Sequence, residues 1–220
     1  MTSTVWLSRD LRDEMFWVLK VHVNTLKHNQ ELAVYEHLSG LGLDHPGRQH
    51  QTLVTTALDQ TLLGLNYLHD ASVIHTDIHS DNLLIAITDD SILFTVEDNE
   101  LQRPSYMLGG AGAFTICDLG QARIGEVHRG NAMPVPYRAP EVILGMTWGN
   151  AVDIWSVGLL REGIFRIYDQ SEELNDAYHL AAMTALLGPP PDVFLRRSDK
   201  TSKYWNAEGK RRDAIFGLDC

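Results

Sequence analysis

Residues 73–84 read VIHTDIHSDNLL, and no other stretch constrains the fold as strongly. Two apolar runs flank a tight polar cluster, so a buried chain must enter the cluster and a second buried chain must leave it. Within it His75, Asp77 and Asn82 stand in the order H-x-D-x-x-x-x-N, with the acid and the carboxamide five residues apart. His, Asp and Asn also gather in ordinary surface loops, so the octapeptide alone decides nothing. Its weight comes from what precedes and follows it.

With 220 residues and 44% hydrophobic content, the chain has the length and composition of one large domain or two small lobes. No apolar run approaches the ~18 residues of a membrane span, and Met1 is followed by polar and charged residues, not by a secretory apolar region. A soluble protein of a reducing compartment, cytoplasmic, nuclear or both, is expected. Two cysteines, Cys117 and Cys220, give neither a disulfide framework nor a C-x-x-C metal spacing. The ten histidines are dispersed, which argues against a zinc site. A formal charge of −11 disfavours direct nucleic-acid binding and suits a basic protein partner, although acidity also serves solubility alone.

Along the chain, Thr4–Leu7 and Phe16–Val23 are β-branched and aromatic runs around a polar connection, which predicts a hairpin carrying Lys20 in its second strand. A lysine in such a strand either snorkels or meets a specific anion. Lys27–Ser39 predicts a helix with Leu32, Tyr35 and Leu38 on one stripe, Glu31 near its start and Gly40 as its stop. The turn-rich stretch 41–51 follows. A second helix is predicted from about Thr52 to His69, its apolar face formed by Val54, Leu58, Leu62, Leu65 and Leu68. LLIAI and FTIC predict two short strands flanking an acidic, Gly-rich insertion from Asp89 to Gly112. Asp118 ends the second strand in CDLG. AVDIWSVGLL predicts an apolar helix with Asp153 near its start, and a helix around Tyr178–Leu187 is stopped by Gly188 and three prolines.

HTDIHSDN, CDLGQAR, YRAPEVIL and DIWSVG, in this order, resemble the eukaryotic protein kinase fold. STVWL, HTD and LLGPPP are similar to the SR-protein kinases, particularly fungal ones. The resemblance implies an α+β, bilobal protein-kinase-like fold over residues 1–220: a reduced N-terminal β lobe in 1–50 and a mainly helical lobe in 51–220, incomplete at its C-terminal end. It implies ATP and Mg²⁺ as cofactors and Ser/Thr of basic Arg/Ser-rich proteins as acceptors. Asp77 then accepts the hydroxyl proton, Asn82 and Asp118 hold Mg²⁺, and Lys20 paired with Glu31 orients the phosphates beside Val5. Glu141 of RAPE is expected in a buried ion pair, and Asp153 is expected to fix the catalytic-loop backbone.

Three departures stand against this. The glycines that cover the nucleotide phosphates in kinases are absent before Ser3. Residues 40–56 hold about half of the roughly 30 positions that two strands, an adenine-binding hinge and a helix need. His79 replaces the lysine of protein kinases, and a unit charge ~4 Å from the phosphate is worth about 4 kcal/mol at an effective dielectric of 20, on the order of 10³ in rate. Aminoglycoside- and choline-kinase-like enzymes use H-x-D-x-H, yet lack the RAPE and DIWSVG arrangement. The expected activity is therefore ATP-dependent phosphoryl transfer to protein Ser/Thr. A kinase-like binding module, a truncated gene product and a small-molecule phosphotransferase are the alternatives.

Overall fold

The computed structural model describes residues 3–9, 16–22, 30–40, 57–86, 113–160, 164–169, 171–206 and 208–212. Expectations for the stretch 41–51, the start of the second helix with Val54, and the Asp89–Gly112 insertion lie outside these residues.

Strands β1 (Ser3–Arg9) and β2 (Phe16–His22) pair antiparallel, with Val5 opposite Lys20. Their β-branched and aromatic composition favours a pleated ribbon over a helix. The hairpin belongs to the smaller of two compact units and is described by its backbone alone; the larger unit comprises residues 30–84 and 114–220.

Helix α1 (Gln30–Gly40) groups with the larger unit. Two long-range bonds explain this: Gln30 Nε2 donates to the Ala122 carbonyl at 3.0 Å, and His37 Nε2 contacts the Ala71 carbonyl at 2.8 Å. Its inward residues are Glu31 and Val34, with Leu38 partly buried, while Leu32 and Tyr35 are about half exposed. Both stripes satisfy the helical period, and the one containing a carboxylate is the one that packs.

Helix α2 (Ala57–Asp70) buries Thr61, Leu65 and Leu68 but leaves Leu58 and Leu62 exposed, so only the C-terminal half of the expected apolar face enters the core. At Gly64 an added Cβ would lie 2.9 Å from Ile116 Cδ1, so the missing side chain lets the helix lie close against the strand that ends at Ile116. Strand β3 (Val73–Ile74) pairs antiparallel with β6 (Arg123–Ile124), and β4 (Leu83–Ile85) pairs with β5 (Phe114–Ile116). Because successive strand residues point oppositely, Val73 enters one core with Leu65, Ile78 and Leu119, while Ile74 enters another with Val142, Trp148 and Val152. Each fully buried aliphatic side chain contributes about 1.5–3 kcal/mol. The strand leading into His75 is thus clamped from both sides.

Helices α3 (Pro140–Ile143), α4 (Ala151–Gly158), α5 (Asp176–Leu187) and α6 (Asp192–Leu195) complete the larger unit. Helix α5 begins where Asn175 Oδ1 accepts from the Ala177 and Tyr178 amides, and it ends at Gly188, whose φ of 86° a side chain would disfavour. Among the described residues no helix is long and apolar enough to cross a membrane. Helices plus small antiparallel sheets make a reduced α+β kinase-like fold.

Candidate active site

The site is organised from beneath by Asp153, fully buried near the start of α4. Its Oδ2 accepts from the His75 amide at 2.8 Å, its Oδ1 accepts from the Thr76 amide at 2.8 Å, and His69 Nε2 of α2 lies 2.8 Å from Oδ2. Two backbone donors at the head of the loop are thereby satisfied by one side chain from 77 residues further on. Thr76 has φ 65°, an uncommon value for a β-branched residue, of the kind that costs about 1–3 kcal/mol and persists only where its surroundings enforce it. The Asp153 bond and a hydroxyl bond from Thr76 Oγ1 to the Gln121 carbonyl, 2.9 Å, supply that enforcement.

His75 is fully buried and joins the loop to the strand before Asp118: Nε2 donates to the Cys117 carbonyl at 2.9 Å, and Nδ1 accepts from the Asp77 amide at 3.2 Å. The carbonyl can only accept, which fixes the tautomer. Burial pushes the His75 pKa below its ordinary value, against the opposing pull of Asp153, the Cys117 carbonyl, Asp77 and Asp118. The ring is neutral, a structural spacer and not a proton carrier.

Asn82 closes the turn. Its Nδ2 donates to the Asp77 carbonyl at 2.8 Å and lies 3.1 Å from His79 Nε2, while its backbone carbonyl accepts from the Cys117 amide at 3.0 Å. These contacts use the nitrogen end of the carboxamide, and Oδ1 accepts no hydrogen bond among the described residues. Asp77 keeps its carboxylate partly exposed, with Oδ1 3.6 Å from His79 Nε2. His79 stacks on Tyr137, ring centroids 5.9 Å apart at 28°. Its Nε2 thus lies between the Asn82 carboxamide and the Asp77 carboxylate, and its Nδ1 lies 3.9 Å from Asp81 Oδ2.

Asp118 follows β5 in a left-handed conformation, φ 62°, and its Oδ1 accepts from the Gly120 amide at 3.2 Å. A Cβ on Gly120 would lie 3.0 Å from that oxygen and 3.9 Å from Glu31 Oε2, so the buried Glu31 of α1 stands over the same turn. Contacts within the loop therefore join Asp77, His79 and Asn82, and Asp118 and Glu31 lie about the turn at Gly120 in the same larger unit. Val5 and Lys20 face each other in the smaller unit, and the expected Lys20–Glu31 pairing lies outside the described residues. Glu141 is half-buried and forms no ion pair among the described residues, unlike the buried pair expected for it. The cation three residues before it, Arg138, reaches Met133 O instead.

Comparison with known proteins bears on the same residues. The protein kinase domain family matches residues 24–169, a stretch that runs from α1 past the DIWSVG helix. The chain belongs to the protein kinase family. A serine/threonine protein kinase of Aspergillus fumigatus is 33% identical over 286 residues, covering 99% of this chain and 70% of the relative. The serine/threonine-protein kinase AFC1 of Arabidopsis thaliana is 32% identical over 166 residues (69% and 34%), and the dual specificity protein kinase CLK2 of Mus musculus 27% over 147 (66% and 29%). By this resemblance the enzyme is a serine/threonine kinase, of a family that uses ATP and Mg²⁺. The 286 aligned positions exceed the 220 residues here, so the Aspergillus kinase carries internal segments that this chain lacks.

Within the kinase, the donor set suits magnesium. The Asn82 carboxamide oxygen and the Asp118 carboxylate are hard ligands, and the direction of the Asn82 amide leaves its oxygen the end available to a cation. Three contributors carry no sequence signal: His69 as third partner of Asp153, Thr76 as the tie to Gln121, and Tyr137 as the platform for His79.

Proposed function

We propose that this kinase transfers the γ-phosphoryl group of ATP to serine or threonine hydroxyls of basic, Arg/Ser-rich proteins, in the cytoplasm or the nucleus. The observation that carries the reading is the bonded chain Asp153–His75/Thr76, Asn82–Asp77 and Cys117–Asn82, which holds a carboxylate and two hard oxygen ligands on adjoining turns. Phosphoryl transfer requires this kind of positioning more than covalent participation. HTD and LLGPPP, similar to SR-protein kinases, and the formal charge of −11 support an arginine-rich acceptor.

In this mechanism Asp77 takes the proton of the acceptor hydroxyl as its oxygen bonds to the γ-phosphorus and the bond to the ADP oxygen breaks. Asn82 and Asp118 would hold magnesium, which would supply neutralising charge to the phosphate oxygens. By resemblance Lys20 is the lysine assigned to the phosphates, and His79 supplies hydrogen bonding where a lysine would supply charge. Phosphate transfer to an arginine/serine peptide by the wild type, lost in Asp118→Ala, supports the reading; transfer unchanged in that variant contradicts it.

A second reading, a kinase-like binding module, is favoured by the segments this chain lacks and by His79 in place of lysine. A thermal melt separates the two: binding of Mg²⁺·ATP at a hundredfold excess over Kd raises stability by ~2.7 kcal/mol. A cooperative melt that ignores nucleotide favours the module.

A further inference from the structure

The chain is acidic as a whole, yet residues 192–212 carry seven Lys and Arg against three Asp and Glu. Within this segment lies a cavity of about 510 Å³, lined from α6, from the 3-10 turn Asp199–Lys203 and by Trp205, Asn206 and Arg212. We propose that this cavity is a docking site for a phosphoserine-bearing segment of a protein partner, separate from the centre around Asp77.

Two exposed guanidinium groups, Arg196 and Arg212, line it. Arg212 is fixed through its inner nitrogen, Nε to the Trp205 carbonyl at 3.3 Å, which leaves the outer edge of the fork to a ligand. Among the described residues Arg196 meets only Asp192, at 3.8 Å, and both side chains are more than 70% exposed. Such a pair is worth roughly 0–1 kcal/mol and yields easily to a dianion. Asn206 turns its Oδ1 to the Glu208 and Lys210 amides at 3.1 and 2.8 Å, so its Nδ2 is a further donor with no partner among the described residues.

Phosphate accepts paired donors from a guanidinium fork, and two forks with a carboxamide match its oxygens better than they match a single carboxylate. Leu195 and Trp205 supply apolar wall for the residues beside the phosphate. A nucleic acid is the poorer occupant, because its extended charge meets a chain of net −11, whereas one phosphoserine needs only this local patch. The basic acceptor under "Proposed function" would be repelled here until it carries phosphate, so the cavity favours product over substrate.

Binding requires no phosphoryl transfer, and it is read with the full chain, without nucleotide, by fluorescence anisotropy of a labelled peptide of alternating glycine and phosphoserine. The expected result is saturable binding that falls on the order of tenfold or more in Arg196→Glu/Arg212→Glu, as loss of charge-assisted donors gives. Asp192→Asn tightens it by removing the competing carboxylate, and Asp118→Ala leaves it unchanged. Binding no tighter than that of the unphosphorylated peptide overturns the proposal, as does binding that survives the double charge reversal or disappears with Asp118→Ala. Single-stranded RNA displacing the peptide at equal or lower concentration also overturns it.

Discussion

Helix α4 carries two buried polar regions that contrast within one turn of each other. At Asp153 the carboxylate meets two amides and an imidazole. Just beyond it, Trp155 Nε1 and Ser156 Oγ are buried without a hydrogen-bond partner among the described residues, as are Arg138 Nε and both ring nitrogens of His179, a residue that packs with Trp155 around Phe165. An unsatisfied buried polar group costs about 1–3 kcal/mol, while a satisfied one holds its neighbours in place. The kinase therefore concentrates its hydrogen bonding where the catalytic loop must be positioned and leaves the wall beneath α5 held by apolar packing.

Breaking the satisfied side should have the largest effect. Asp153→Ala strands the His75 and Thr76 amides and the His69 ring, and loss of one member of such a buried network costs about 3–5 kcal/mol. Denaturant unfolding should show that loss together with loss of phosphate transfer. His79→Lys adds charge at the position where the ring lies 3.6 Å from Asp77, and initial rates should rise by about tenfold to 10³-fold. Thr76→Val keeps the shape but removes the bond to Gln121, and should lower stability by about 1 kcal/mol and transfer by several-fold.

The unsatisfied side gives a pH signature. Burial, aided by the nearby Arg138 charge and opposed by Asp176, pulls the pKa of His179 down to about 4, and His75 is also lowered. In the unfolded chain these histidines return to about 6.5. As pH falls below about 6.5 the unfolded state takes up protons that the folded state refuses, so stability present above that pH is lost progressively towards pH 4. His179→Phe, which removes one refusing group, should flatten the dependence of the melting temperature between pH 6.5 and 4. An unchanged slope would mean that the His179 ring is not held neutral.

The placement of the candidate residues is legible in the sequence, because backbone geometry ties them to their motif positions: His75, Asp77 and Asn82 in one loop, Asp118 after a strand, Asp153 near a helix start. The end of α5 is legible for the same reason, since Gly188 stops it locally, whereas its start lies two residues before the expected Tyr178, where Asn175 caps it. What could not be read depends on partners distant in sequence. Periodicity in α1 suggested the Leu32–Tyr35 stripe, but the neighbouring Glu31–Val34 stripe packs, because Gln30 and His37 anchor the helix by its other side. Likewise nothing local announces that Thr76 adopts φ 65°, or that His69 reaches Asp153.

The central claim is that the Asp153-pinned loop presents Asp77 as the base for phosphoryl transfer. Single-turnover transfer from Mg²⁺·ATP to an arginine/serine peptide, measured for the wild type and for Asp77→Asn with matched melting curves, tests it most directly. A positioned base contributes about 10²–10⁴ in rate, so the variant should lose at least two orders of magnitude while melting like the wild type. Equal rates in the two proteins would contradict the account.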